Sequence, residues 1–147
     1  MMKYVKLYTD GACLGNPGPG GWCALLRFNG TEKVLQGREA HTTNNRMEII
    51  AVLEGLKALN EPCSVDVYSD SQYVLKAIKE WLPGWVRKGW VNSQKKPVAN
   101  KDLWLEMLPL MDKHQLNLYW VKGHAGHPEN EFCDQTARTE AEAVRDA

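Results

Sequence analysis

The chain of 147 residues has no apolar run approaching the roughly 18 that a membrane-spanning helix needs. Its start, Met1-Met2-Lys3-Tyr4-Val5-Lys6, alternates like a strand and lacks the apolar stretch and small-residue cleavage site of a secretory signal, so the expected location is the cytoplasm and no membrane partner is expected. No pair among Cys13, Cys23, Cys63 and Cys133 is spaced C-x-x-C, which leaves neither a zinc knuckle nor a disulfide framework and makes reduced thiols the expectation. His124, His127, Cys133 and Asp134 can be drawn as a zinc site, but their spacing fits none of the usual closed arrangements. Repeats, low-complexity segments and Pro/Ser-rich linkers are absent too. Residues 1–147 therefore read as a single domain with one core. Net charge is zero, which argues against a protein that simply coats nucleic acid.

The distribution of charge argues differently. Between Lys76 and Lys101 lie Lys76, Lys79, Arg87, Lys88, Lys95, Lys96 and Lys101 against the single acid Glu80. Trp81, Trp85 and Trp90 are interleaved with them. A basic run alone is usually a solvated helix and loop; tryptophans within it point to a surface that follows a phosphate backbone, the cations supplying sequence-independent affinity and the rings apolar contact.

Lys3 to Thr9 alternates as a first strand and stops at a loop rich in Gly and Pro, Asp10 to Gly20. A second strand, Gly21 to Phe28, leads through Asn29-Gly30, a strong hairpin signal, to a third that runs to about Ala40. From Asn44 to Leu59 the period becomes helical, with Ile49, Val52, Leu53, Leu56 and Leu59 on one face; Asn45 and Glu48 have capping-box spacing, and Thr42 to Asn45 offers several N-caps. A strand, Ser64 to Ser69, a helix, Ser71 to Trp81, and breaks at Gly84 and Gly89 follow. A helix begins near Asn100 and meets Pro109. A strand, Leu116 to Val121, and a helix from about Glu129 complete the chain. The expected fold is α/β: a five-stranded mixed sheet flanked by helices, with Ser64 to Ser69 parallel to Lys3 to Thr9.

In that arrangement Asp10 and Asp70 sit just past the C-terminal ends of neighbouring parallel strands, where open α/β sheets place their sites. One strand-end aspartate is most often a turn former or cap. Two on adjacent strands repel in a crevice unless a cation neutralises them, and oxygen ligands favour magnesium or manganese over zinc.

The segments Thr9-Asp10-Gly11-Ala12-Cys13, Asn16 to Trp22, Thr43-Asn44-Asn45-Arg46-Met47-Glu48, Tyr68-Ser69-Asp70-Ser71-Gln72-Tyr73-Val74 and Trp120 to His127, leading to Asn130 and Asp134, resemble the motifs of type 1 ribonucleases H, in that family's order and nearly end to end. The resemblance implies a ribonuclease H-like fold and an endonuclease that cuts the RNA strand of an RNA·DNA hybrid with two metal ions, leaving 5′-phosphate and 3′-hydroxyl ends. It implies that Asp10 bridges both ions, that Asp134 completes the site activating water, and that Glu48 and Asp70 hold the ion at the leaving oxygen. The cofactor implied is Mg2+, two ions per site, with Mn2+ as substitute. His124 would move protons or help product leave. His127 matches no catalytic position and reads as a structural or capping residue.

Telling RNA from DNA requires reading the 2′-hydroxyl, for which the resemblance points to Asn16, Asn44, Asn45, Gln72 and the backbone around Cys13; amides suit this because each both donates and accepts. Thr43 and Asn100 match a pocket for a DNA-strand phosphate. The stretch carrying Trp81, Trp85, Arg87, Lys88, Trp90, Lys95 and Lys96 matches the family's basic protrusion. Two departures concern binding and leave the chemistry intact: His41 stands where the family often has arginine, and Ala99 where it often has lysine. No separate hybrid-binding module precedes Thr9, and a monomer is expected. The rival readings are another nuclease or strand-transferase of the same fold, which would share the carboxylates without the 2′-hydroxyl readers, and a catalytically silent nucleic-acid binding module, which would have little reason to keep four converging carboxylates.

Overall fold

The structure, a computed structural model, describes residues 2–122 and 126–147. Strands β1 (Lys3–Cys13), β2 (Gly18–Phe28) and β3 (Thr31–Thr42) form an antiparallel meander, while β4 (Cys63–Ser69) pairs parallel to β1, and β5 (Gln115–Trp120) parallel to β4. The sheet order is β3-β2-β1-β4-β5, the expected five-stranded mixed sheet. Helices α1 (Asn44–Lys57), α2 (Gln72–Lys76), α3 (Leu82–Arg87), α4 (Lys101–Lys113) and α5 (Pro128–Arg145) flank it.

Strand alternation divides the core. Val5, Leu7, Ala24 and Leu26 meet Ile49, Val52, Leu53 and Leu56 of α1 and Trp104 and Met107 of α4 on one face; Tyr8, Cys23 and Leu25 meet Cys133 of α5 on the other. Two glycines allow the helices to approach this closely. A Cβ at Gly11 would lie 2.5 Å from the Glu48 amide, and one at Gly21 would lie 2.3 Å from the Ala137 carbonyl, so α1 and α5 rest directly on β1 and β2.

Several boundaries differ from the sequence-based expectation. β1 does not stop at Thr9: Asp10 to Cys13 stay paired antiparallel with Cys23 to Gly20, although the parallel pairing with β4 ends at Tyr8 and Tyr68. Asp10 is thus inside a strand yet beyond the parallel ladder. The helix after Ser71 does not break at Gly84. It widens into a π-helical turn over Ala77–Trp81 and continues through α3, because Pro83 lacks an amide and crowds the carbonyl one turn back, and the wider turn relieves both. Gly89, at φ 72°, marks the true end. Pro109 lies inside α4, on its exposed side, where the carbonyl it leaves unpaired can be hydrated.

Candidate active site

The N-cap of α1 is Thr43, whose hydroxyl accepts from the Arg46 amide at 3.2 Å, so the Asn45 and Glu48 capping box is not used. Glu48 lies in the second turn and the first turn holds no acid, so its position owes nothing to capping. With α1 seated on Gly11, its carboxylate reaches the sheet's end beside Asp10 and Asp70. One ligand oxygen from each of Asp10, Glu48 and Asp70 lies within 4.8 Å of the others. Asp10 is 2% exposed and Glu48 5%. The Gly11 amide donates to Asp10 Oδ1 at 2.9 Å; buried Glu48 Oε1 has no hydrogen-bond partner among the described residues. Burial, and then the charges of Asp10 and Asp70, push the Glu48 carboxyl well above the usual carboxylate range. Three crowded carboxylate oxygens, one of them unsatisfied, fit a hard divalent cation.

Asp134 is not among the carboxylates grouped within 4.8 Å; half-buried on α5, it pairs with Arg138 one turn on. Its neighbour Cys133 is wholly buried with its thiol on the Tyr8 carbonyl at 3.4 Å, which turns that sulfur away from any ligand role. His124 lies outside the described residues.

The other sequence candidates form two groups. Asn16 Oδ1 accepts from the Asn44 amide at 3.0 Å, tying the Gly-Pro loop to the start of α1, and the Cys13 thiol lies against the Gly18 and Thr42 carbonyls. Asn45 and Gln72 are exposed. Thr43 and Asn100 are linked through Arg46, which caps on Thr43, donates to Asn100 Oδ1 at 3.4 Å and grips Asp102 with two bonds of 3.1 and 2.6 Å. His41 is exposed on β3, and no hydrogen bond or ion pair among the described residues joins it to Thr43 or Asn100.

In the basic stretch, Arg87, Lys88, Lys95 and Lys96 are all exposed. The tryptophans differ from them: Trp81 is 38% exposed, whereas Trp85 and Trp90 are half-buried against the main core, and rings run Trp81 to Trp85 to Trp104 at 5.8 and 6.1 Å. Asn92 builds the loop, its Oδ1 accepting from the Gln94 and Lys96 amides at 2.9 and 3.0 Å.

Sequence reasoning assigns no role to three positioning residues. Arg46 gives no signal, since its partners are remote in sequence. Trp120 donates from Nε1 to the Asp70 carbonyl at 3.2 Å. Asn130 donates to the Tyr68 carbonyl at 3.3 Å, fastening α5 to β4; a polar residue heading the buried stripe Cys133, Ala137 and Ala141 is the signal that could reveal it.

A mixed sheet and its first helix that bring three carboxylates to one point define an α/β protein with a candidate divalent-cation site. The family model described as RNase H matches residues 2–142. A ribonuclease H of Nitratidesulfovibrio vulgaris is 62% identical over 95% of this chain and 90% of its own. The crystal structure of LC9-RNase H1, a type 1 RNase H with the type 2 active-site motif, superposes with a TM-score of 0.87 at 30% identity, over 98% of this chain and 74% of that one. LC11-RNase H1 in complex with an RNA/DNA hybrid shares the fold, with a TM-score of 0.73 at 20% identity over 96% of this chain and 99% of that one. The chain belongs to the ribonuclease H family.

Proposed function

We propose that residues 1–147 form one catalytic domain that hydrolyses the RNA strand of RNA·DNA hybrids, acting as a cytoplasmic monomer with magnesium. The observation that carries this reading is the cluster of Asp10, Glu48 and Asp70 with its unsatisfied Glu48 oxygen. Asp10, Glu48 and Asp70 would hold the metal, and Asp134 would join them by exchanging Arg138 for the ion. Two bound divalent ions supply a water made nucleophilic at neutral pH and charge neutralisation at the leaving 3′ oxygen. The chain's own part is to hold four carboxylates ready, to grip the duplex and to move protons. His124 takes the proton role, and its replacement by Ala is expected to slow turnover about ten- to a hundredfold.

Asn16, Asn44, Asn45, Gln72 and the backbone near Cys13 read the 2′-hydroxyl, and the bond between Asn16 and Asn44 supports their acting together. Thr43 and Asn100 bind a DNA-strand phosphate, supported by their common link to Arg46. His41 lines the same pocket. Arg87, Lys88, Lys95 and Lys96 track the backbone, with Trp81 as the most exposed ring beside them. The test is cleavage of matched RNA·DNA, RNA·RNA and DNA·DNA duplexes with and without magnesium. Cutting confined to RNA in the hybrid, and only with metal, is the expected result; metal-dependent cutting of DNA·DNA would favour a strand-transferase or general nuclease, and binding without cutting a silent module.

A further inference from the structure

Asn100 is the N-cap of α4, yet its side chain makes no capping bond. An asparagine in that position ordinarily turns its side-chain oxygen onto the amides of the first turn. Here the main-chain carbonyl serves the helix, accepting from the Leu103 and Trp104 amides at 3.0 and 3.1 Å, and the backbone is left-handed at φ 63°. Asparagine adopts that conformation more readily than any residue with a larger apolar side chain, so the backbone suits it while its amide is directed elsewhere.

Two side chains fix that amide. Its Oδ1 accepts from Arg46 Nη1 at 3.4 Å, and its Nδ2 donates to the Tyr73 hydroxyl at 3.4 Å. A guanidinium only donates, so the oxygen must face Arg46 and the nitrogen Tyr73, and one of the two Nδ2 hydrogens remains for another acceptor. The charge of Arg46 is already engaged: Asp102 takes two bonds from it, and Glu39 Oε1 lies 3.9 Å from its Nε. Tyr73 is held in turn by its ring, which lies 6.0 Å from Trp81 and 6.1 Å from the wholly buried Trp104. With two carboxylates beside Arg46, a phosphate arriving near Thr43 and Asn100 has to be gripped by neutral donors. The direction of one amide then decides whether the pocket attracts that phosphate through N–H or repels it through oxygen.

We propose that Tyr73 is a positioning residue for the substrate: together with Arg46 it holds the Asn100 amide with N–H toward a phosphate of the DNA strand, and touches no substrate atom itself. The inference rests on the proposed phosphate pocket of Thr43 and Asn100. Because the Tyr73 ring also packs on Trp81, a different role would be to brace the basic stretch that begins there. Salt separates the two roles. Cations that neutralise phosphates release counterions and make binding salt-dependent, whereas a neutral amide releases none.

Dissociation constants for an RNA·DNA hybrid, measured in calcium to keep the strand uncut and over a range of salt, would compare wild type with Tyr73→Phe and Asn100→Ala, singly and combined. Asn100→Ala should weaken binding about tenfold or more, the scale of a hydrogen bond to a charged group, and Tyr73→Phe about three- to tenfold, the scale of a neutral one. Neither should change the slope of log K against log salt. In the Asn100→Ala background Tyr73→Phe should have no further effect. With magnesium, Tyr73→Phe should raise KM and leave kcat within about twofold of wild type. Circular dichroism melts confirm that the variants fold. Wild-type affinity in Tyr73→Phe, additive losses in the double variant, or a flattened salt slope overturns the inference while leaving the pocket standing, and the flattened slope would assign Tyr73 to the basic stretch. Wild-type affinity in Asn100→Ala overturns both.

Discussion

Asp10, Glu48 and Asp70 crowd their oxygens within 4.8 Å, with Asp10 and Glu48 buried. Arg87, Lys88, Lys95 and Lys96 carry like charge in water, at the end of α3 and in the loop after it, a stretch anchored by half-buried Trp85 and Trp90. In the first region low dielectric makes repulsion expensive, which pushes the Glu48 carboxyl well above the usual carboxylate range and favours a neutralising cation. In the second, solvent screens the charges and the stabilising work falls to the aromatic contacts. A chain of zero net charge can therefore hold one site that demands a small cation and another that suits a polyanion.

The largest effect should come from removing the central charge of the buried region. Asp10→Asn is expected to lower turnover at least about a thousandfold, the several kcal/mol of charge stabilisation that a bound metal provides. Hybrid affinity should persist, because the exposed cations are untouched. Activity within tenfold of wild type would show that the two regions are not divided into chemistry and grip.

The converse change neutralises Arg87, Lys88, Lys95 and Lys96 together. Binding to hybrids of any sequence should weaken, and the slope of log K against log salt should flatten by about 0.9 for each phosphate that the protein no longer neutralises. Metal-dependent turnover at saturating substrate should change little. An unaltered slope would make the stretch a solvated surface only.

A smaller effect tests the anchor. Trp85 lies between Trp81 and Trp104, and Trp85→Ala should cost about 2 to 3 kcal/mol of stability by denaturant unfolding, with Trp85→Phe recovering most of it. A loss of affinity without a loss of stability would mean that the ring serves substrate more than core.

The smallest concerns Glu48 in metal-free protein. Its folded carboxyl holds a proton above the ordinary value of 4.5. Stability is therefore intact below that value, where both states are protonated, and falls as pH rises from it toward the raised folded value, since the unfolded chain releases the proton first. In EDTA near neutral pH, Glu48→Gln should be the more stable protein by about 1 kcal/mol, with a flatter dependence on pH. Magnesium should stabilise wild type more than the variant. Parallel pH curves for both would separate Glu48 from the cluster.

Both regions, and much of the fold that carries them, are legible in local sequence patterns. Period 2 in Lys3 to Thr9 and the helical face from Ile49 to Leu56 are such patterns, and both elements form with those faces inward. Asp70 follows directly on the end of its strand, as the pattern around Ser64 to Ser69 implies. The extension of β1 to Cys13 is not legible, because the Gly-rich segment is held as a strand only by its pairing with β2. Nor is the continuation past Gly84, which depends on a change of helical pitch. In the candidate site, the carboxylates are visible as motifs, but Arg46 and Trp120 act on groups 54 to 56 and 50 residues away, and nothing at their own positions announces this.

By itself the sequence determined the secondary elements, their apolar faces, the positions of the acids and the basic stretch, since each depends on neighbours within a few residues. Tertiary structure alone decided that Glu48 sits beside Asp10, through the close approach that Gly11 permits. It also aligned Tyr8, Tyr68 and Tyr119 into one stack. Those are contacts between segments tens of residues apart, and only the register of strands and the packing of helices against them bring such segments together.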